Sequence, residues 1–205
     1  MKKLLFTIVL LSSLFSVAQK NYILLKDGNK MEIDERDFYY STFEKVRYTL
    51  PSKEGFEAIK GIDIDKVDKL VAGDITYIPF KYSEKKKKYM VLSKIIAETS
   101  DKMLLLSFTP PFSADGYYLD YNYKIVDKAT NTIIDSGWFN ESKMPKKLVD
   151  QNTAIATIKK HFSKCKEMMD SLAEFEKKIP TANGNGYTEE YIAGFMHQDK
   201  PFNCN

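Results

Sequence analysis

The spacing of apolar residues changes once along this chain, from a period of two to a period of 3.6 near residue 141. Before that point, short apolar runs alternate with turns that contain Gly, Pro or Asn, which is typical of antiparallel strands. After it, apolar side chains recur every three or four positions, as on one face of a helix. The sequence therefore predicts an α+β fold. We expect an antiparallel sheet or open barrel over about residues 20–140, with C-terminal helices packed on or beside it.

The strongest strand signal lies in residues 117–126, where the two faces differ in chemistry. One face carries aromatic and aliphatic side chains only: Tyr117, Leu119, Tyr121, Tyr123 and Ile125. The other face carries Asp120, Asn122 and Lys124. This alternation is typical of a half-buried strand whose polar face meets solvent. Because aromatic faces also stack on sugar rings and methylene groups, a ligand platform is the alternative interpretation.

The C-terminal apolar stripe predicts either one long helix or two helices with a break near Ser163. Its members are Ile155, Ile158, Phe162, Cys165, Met169, Leu172, Phe175 and Ile179. Pro180 ends the pattern, and Asn183 to Gly186 form a connector to a short last helix that begins at Thr188. A weaker signal at residues 64–70 indicates a single helical turn.

The N-terminus has the three parts of a secretory signal peptide. Lys2 and Lys3 are followed by the apolar residues 4–11, and small residues then lead to a cleavage site between Ala18 and Gln19. A membrane anchor is the alternative, but the apolar run is about half the ~20 residues that a spanning helix needs. We therefore expect residues 1–18 to be removed and the protein to be exported, either periplasmic or secreted.

The remaining residues 19–205 fit a single α+β domain, with a β-rich part over 19–141 and a helical part over 142–205. No stretch of this mature chain is long and apolar enough to span a membrane. The full chain has 31 basic and 28 acidic residues. Loss of the two signal lysines leaves it nearly neutral, which argues against a nucleic-acid partner.

Four consecutive lysines, Lys85 to Lys88, lie between two predicted strands. A solvated hairpin end that protects a sheet edge from pairing explains such a run. The alternative is a contact with an anionic partner, such as a lipid headgroup or an acidic glycan.

The two cysteines are the most specific candidates for an interaction between reactive side chains. Cys165 lies on the apolar stripe and Cys204 is the penultimate residue, so in an oxidising compartment we expect a disulfide between them. Two free thiols are one alternative. A zinc site of His161, Cys165, His197 and Cys204 is another, since these residue types suit tetrahedral coordination. No catalytic residue and no cofactor are predicted, because no serine elbow, HExxH, P-loop or dinucleotide pattern occurs.

The layout resembles that of uncharacterised secreted proteins of Bacteroidota-type bacteria. The shared features are a strand-rich first half, a helix with Phe162-x-x-Cys165, a short final helix and a late Cys204. The lysine-rich signal sequence that ends in Val-Ala-Gln is similar too. The resemblance implies no activity.

We expect a non-enzymatic extracytoplasmic binding or structural module whose partner is a glycan, a peptide or an envelope component. The alternative is an extracytoplasmic hydrolase with a non-local active site, which a deep polar cleft would distinguish from a shallow or aromatic binding face.

Overall fold

The computed structural model describes residues 21–33, 44–50, 59–86, 88–109, 120–140, 144–178, 195–196 and 198–204. The strands are β1 (Tyr22–Leu25), β2 (Lys30–Glu32), β3 (Lys45–Tyr48), β4 (Lys60–Asp63), β5 (Val67–Ala72), β6 (Ile75–Lys81), β7 (Met90–Glu98), β8 (Lys102–Thr109), β9 (Asp120–Asp127), β10 (Thr132–Asn140) and β11 (Phe202–Asn203). The helices are α1 (Met144–Phe162) and α2 (Lys166–Lys178), and a 3-10 turn spans Ile64–Lys66. The predicted signal peptide and its cleavage site lie outside the described residues.

One sheet dominates the structure, and it is almost entirely antiparallel. Its strand order is β10-β9-β8-β7-β6-β5-β1-β2, and β11 pairs with β7 in the parallel direction. Strands β3 and β4 form a separate antiparallel pair. The predicted combination of an antiparallel sheet and C-terminal helices is therefore present, although strands outweigh helices among the described residues.

The large sheet bends sharply between β6 and β10. Three strands separate these two, which in a flat sheet would put them about 19 Å apart. Yet the Lys81 ammonium donates a hydrogen bond to the Asn131 carbonyl at 2.8 Å, and the rings of Tyr82 and Trp138 are 5.3 Å apart. In the described part of the chain no backbone pairing joins β6 to β10, so the structure shows a curved sheet without closure.

The outer face of this bend carries the main hydrophobic core, which the helices cover. It contains side chains of β7, β8, β9, α1 and α2, among them Leu104, Leu106, Tyr121, Tyr123, Ile125, Ile158, Phe162, Met168 and Leu172. Tyr121 and Tyr123 are 3% and 2% exposed, as expected for core residues. Tyr117 lies outside the described residues.

The opposite side of the sheet, which we call the inner face, is enclosed by the bend itself. Phe80 of β6 and Ile133 of β10 belong to one cluster with Leu105 and Val126 of the strands between them. The expectation that the polar side of β9 meets solvent is wrong here. Asn122 and Lys124 are 4% and 0% exposed, because the curvature of the sheet encloses the face on which they lie.

The helical region contains two helices rather than one. Helix α1 ends at Phe162, whose carbonyl accepts a hydrogen bond from the Cys165 N–H at 2.9 Å, and α2 begins at Lys166. The predicted helical turn at residues 64–70 is confined to Ile64–Lys66, since the chain continues directly into β5. Of the predicted last helix, only residues 195 and 196 are described as helical.

The C-terminal tail packs across the helices and one strand. Phe195 contacts the rings of Phe175 and Phe202, at centroid distances of 5.8 and 5.3 Å. The Cys165 and Cys204 sulfurs are 2.00 Å apart, so the predicted pair lies at disulfide distance. These contacts hold β11 beside β7.

Candidate functional site

An aromatic pair, of which one ring is exposed, marks the line where the end of β6 approaches β10. Trp138, the only tryptophan in the sequence, is 43% exposed and makes an edge-to-face contact with Tyr82. Below the pair, the Glu84 carboxylate accepts a hydrogen bond from the Ile133 N–H at 2.7 Å. We call this junction the seam. The contacts across it hold the two aromatic rings in fixed relative positions at the protein surface.

Lysines of the β6–β7 connection follow Tyr82 of the seam closely in sequence. Lys85, Lys86 and Lys88 are exposed, and the Lys86 ammonium lies 5.9 Å from the centroid of the Tyr82 ring. Lys87 lies outside the described residues. The seam therefore presents aromatic surface beside positive charge, a combination suited to anionic ligands that also offer apolar ring faces.

A polar group of side chains is buried on the inner face. Ser93, Ser107 and Asn122 lie in one cross-strand row, because Ser93 pairs with Ser107 and Ser107 pairs with Asn122. The same row ends at Trp138 of the seam, which pairs with Asn122. Lys124 lies two residues further along β9, and its ammonium nitrogen is 2.6 Å from the Ser107 hydroxyl oxygen.

The buried Lys124 has unusual electrostatics. Burial lowers the pKa of Lys124 to about 7, because removal from water disfavours the charged amine. Its neighbour Asn122 donates a long, 3.4 Å hydrogen bond to the Gly137 carbonyl. The Asn122 side-chain oxygen, however, is buried without a hydrogen-bond partner in the described part of the chain. Such a group is costly in a folded protein and is often associated with a functional site.

Another surface feature is a shallow groove between α1 and β10. Its volume is about 520 Å³, and it is lined by Asp135, Asn152, Thr153, Ala156, Thr157 and Lys160. The Asp135 carboxylate lies 3.4 Å from the Lys160 ammonium and 3.1 Å from His161 Nε2. Burial acts to raise the pKa of Asp135, but the hydrogen bonds from His161 and Lys160 outweigh it and leave that pKa below its usual value. The charges of this groove thus neutralise each other.

The structure describes three of the four residues of the alternative zinc site, His161, Cys165 and Cys204. Cys165 and Cys204 lie at disulfide distance from each other, whereas His161 contacts Asp135. His197 lies outside the described residues. Among the residues that are described, no three His, Cys, Asp or Glu side chains lie close enough together to hold a metal ion.

Sequence reasoning missed the Ser107–Lys124 contact. Ser107 is a single polar residue in the apolar run of β8, and Lys124 fits the polar side of an amphipathic strand. A polar residue inside an apolar strand is a weak signal, and only the bend of the sheet brings a partner to it.

Comparison with known proteins gives no relative: no family model, curated protein or solved structure matches this chain. The resemblance to secreted Bacteroidota-type proteins stays a prediction. Within the described residues, the helices do not include one long and apolar enough to cross a membrane.

Proposed function

We propose that this protein is an exported binding module that holds an acidic glycan at the seam. In this proposal β6 to β10 form an open barrel, and the ligand lies along its open side. Trp138 and Tyr82 stack against sugar rings, while the lysines of the β6–β7 connection contact carboxylate or sulfate groups of the ligand.

The observation that carries the proposal is the contact of the exposed Trp138 with the half-buried Tyr82, beside a connection that carries three exposed lysines. A single exposed apolar residue is ordinary on a protein surface. Here the exposed ring is held by a second ring and lies beside a connection in which exposed lysines outnumber the one carboxylate, that of Glu84, which is paired with Lys81. The shallow, aromatic character of the seam also agrees with a binding face rather than an enzyme cleft.

Charge complementarity favours an acidic glycan over a neutral one. Neutral sugars need stacking surface and hydrogen bonds, but they gain little from ammonium groups in solvent. A polyanion contacts several lysines at once, and this attraction is screened over about 8 Å at physiological salt. Binding should therefore weaken as salt concentration rises.

The test compares two substitutions on β10 that remove equally exposed apolar side chains. Trp138→Ala should weaken binding to polygalacturonate by about tenfold, the value of one stacked aromatic contact. Ile134→Ala is the matched control, since Ile134 is also 43% exposed, and it should leave the affinity unchanged. Binding is measured by titration calorimetry at low and at physiological salt, with neutral dextran as the comparison ligand.

The results separate the parts of the proposal. An equal loss of affinity in both variants would show that the Trp138 ring does not contact the glycan. Equal affinity for dextran and polygalacturonate would contradict the role of the lysines. Absence of binding to polygalacturonate by the unaltered protein would refute the proposal as a whole.

A further inference from the structure

The inner face brings a hydroxyl and an amine together at a distance suited to proton transfer. Ser107 on β8 and Lys124 on β9 are 3% and 0% exposed. The Lys124 amine donates a hydrogen bond to the Ser107 oxygen at 2.6 Å, and the Ser107 hydroxyl donates to the Asn122 backbone carbonyl at 3.3 Å. We propose that Ser107 is a nucleophile for small acyl groups and that Lys124 is its general base. In the proposed reaction, rotation of the hydroxyl turns its proton toward the amine. A serine next to a lysine is one of the recurring variants of the serine–histidine–aspartate arrangement. The inference is independent of glycan binding at the seam.

A general base must be neutral near the pH at which it works. Lys124 meets this requirement because burial brings its pKa to about 7, so that a large share of the amine is unprotonated at neutral pH. Its neighbours on the inner face include Ile95 and Leu105. An apolar side chain would suit these surroundings better than an amine. A lysine at this position therefore needs an explanation beyond packing.

Asn122 is placed to help with the charge that develops during acyl transfer. It lies directly opposite Ser107 in the strand register, and its side-chain oxygen has no partner in the described part of the chain. Its amide nitrogen donates one long, 3.4 Å hydrogen bond to the Gly137 carbonyl, and in the proposed reaction it donates instead to a negatively charged oxygen beside Ser107. Such a donor contributes by stabilising the tetrahedral intermediate.

Access to Ser107 determines the size of the substrate. The cross-strand row runs from Ser107 through Asn122 to the exposed Trp138, and in this proposal the substrate approaches Ser107 along that row. Because Ser107 itself is almost fully buried, only a small acyl group carried on an ester can reach it. Acetyl esters are the smallest stable members of this class.

The reaction is balanced with the residues present and one water molecule. The Ser107 oxygen forms a bond to the ester carbonyl carbon while its proton moves to the Lys124 amine. The carbon–oxygen bond to the alcohol then breaks, and the alcohol takes the proton from the Lys124 ammonium. Lys124 then takes a proton from a water molecule, whose oxygen attacks the carbonyl carbon of the acyl group. The bond between this carbon and the Ser107 oxygen breaks, and Ser107 regains a proton from Lys124. A carboxylic acid is released.

The experiment treats the purified protein with p-nitrophenyl acetate. Peptide mass mapping locates added acetyl groups, and absorbance follows the release of p-nitrophenol. We expect either an acetyl group on Ser107 or p-nitrophenol release that is lost in Ser107→Ala. The rate of p-nitrophenol release should rise as the pH passes through about 7, because Lys124 loses its proton there. Lys124→Met should lower the Ser107-dependent rate by about 100-fold, the usual contribution of a general base.

Two controls separate this chemistry from surface labelling and from unfolding. Ser93→Ala removes another buried hydroxyl of the same row, which donates to the Val91 carbonyl, and should leave the rate unchanged. Circular dichroism confirms that each variant is folded. The proposal is overturned if neither acetylation nor release depends on Ser107, or if Lys124→Met reacts as fast as the unaltered protein.

Discussion

Replacement of Lys124 by methionine should make the protein more stable, although it removes a hydrogen bond. Lys124 is completely buried, and burial lowers its pKa from 10.5 to about 7. The unfolded chain keeps a proton on this amine up to about pH 10.5, whereas the folded protein must release it above about pH 7. At neutral pH the amine must lose its proton, or stay charged in a buried site, when the chain folds. Either outcome lowers the free energy of unfolding.

The magnitude follows from the difference between the two pKa values. At 1.36 kcal/mol per unit, the shift corresponds to about 5 kcal/mol in total, of which roughly 4 kcal/mol applies at pH 7. Loss of the bond to Ser107 offsets about 1–2 kcal/mol of this. Lys124→Met should thus raise the free energy of unfolding by about 2–3 kcal/mol at neutral pH.

The direction of the pH dependence is a separate check. Because the folded pKa is depressed, the unfolded state binds more protons between about pH 7 and 10.5, so stability should rise across that interval. The slope should be about 1.4 kcal/mol per pH unit. Burial also lowers the pKa of Lys94 and adds to the same trend. Above about pH 10.5 the trend reverses, because burial raises the pKa of Tyr77 to about 12 and the unfolded chain then binds fewer protons than the folded protein.

Urea denaturation followed by circular dichroism measures both quantities between about pH 7 and 9.5. Lys85→Met is the matched control, since it makes the same chemical change at an exposed position and should alter neither stability nor slope. The reasoning is refuted if the unaltered protein shows a flat profile, or if Lys124→Met keeps the full slope. Either result would mean that the amine is not desolvated in the folded protein.

Two further predictions concern the tail and the outer face of the sheet. Replacement of both Cys165 and Cys204 by serine should lower the free energy of unfolding by about 4 kcal/mol, because the bridge closes a long loop between residues 39 positions apart. Reduction of the unaltered protein should shift the urea midpoint by the same amount. If neither change shifts the midpoint, the two cysteines are not bridged. Gly137→Ala should lose about 1–3 kcal/mol, because a Cβ would lie 2.5 Å from the Tyr123 ring. Gly61→Ala, whose Cβ would meet only Lys45 at 3.4 Å, is the control that should change little in the same assay.

Local patterns in the sequence were sufficient to place the strand-rich and the helical part of the chain. The strand predicted over residues 117–126 overlaps β9, and the change of period near residue 141 falls between β10 and α1. The reason is that period-two alternation and turn residues are local signals, which depend little on the rest of the fold. The cysteine pair could also be predicted, since only two cysteines occur and one of them lies on an apolar helix face.

The curvature of the sheet could not be predicted, and the candidate sites depend on it. Contacts such as that of Lys81 with Asn131 join positions 50 residues apart, and they do not affect the alternation of apolar and polar residues along either strand. Sequence alone therefore assigned Lys124 to a solvent-facing side. Trp138 was likewise one aromatic residue among many until the structure placed it beside Tyr82.

The inner face gives one physical link between the scaffold and its proposed chemistry. Its apolar cluster of Phe80, Leu105 and Val126 stabilises the bend. The same enclosure removes water from Lys124, which destabilises the fold but makes the amine neutral. A chain selected only for stability would carry an apolar residue there, since replacement of a buried charge by a hydrophobic side chain is commonly neutral or favourable. If Lys124→Met proves both more stable and unable to acylate Ser107, the lysine is maintained at the expense of stability, and its role is chemical rather than structural.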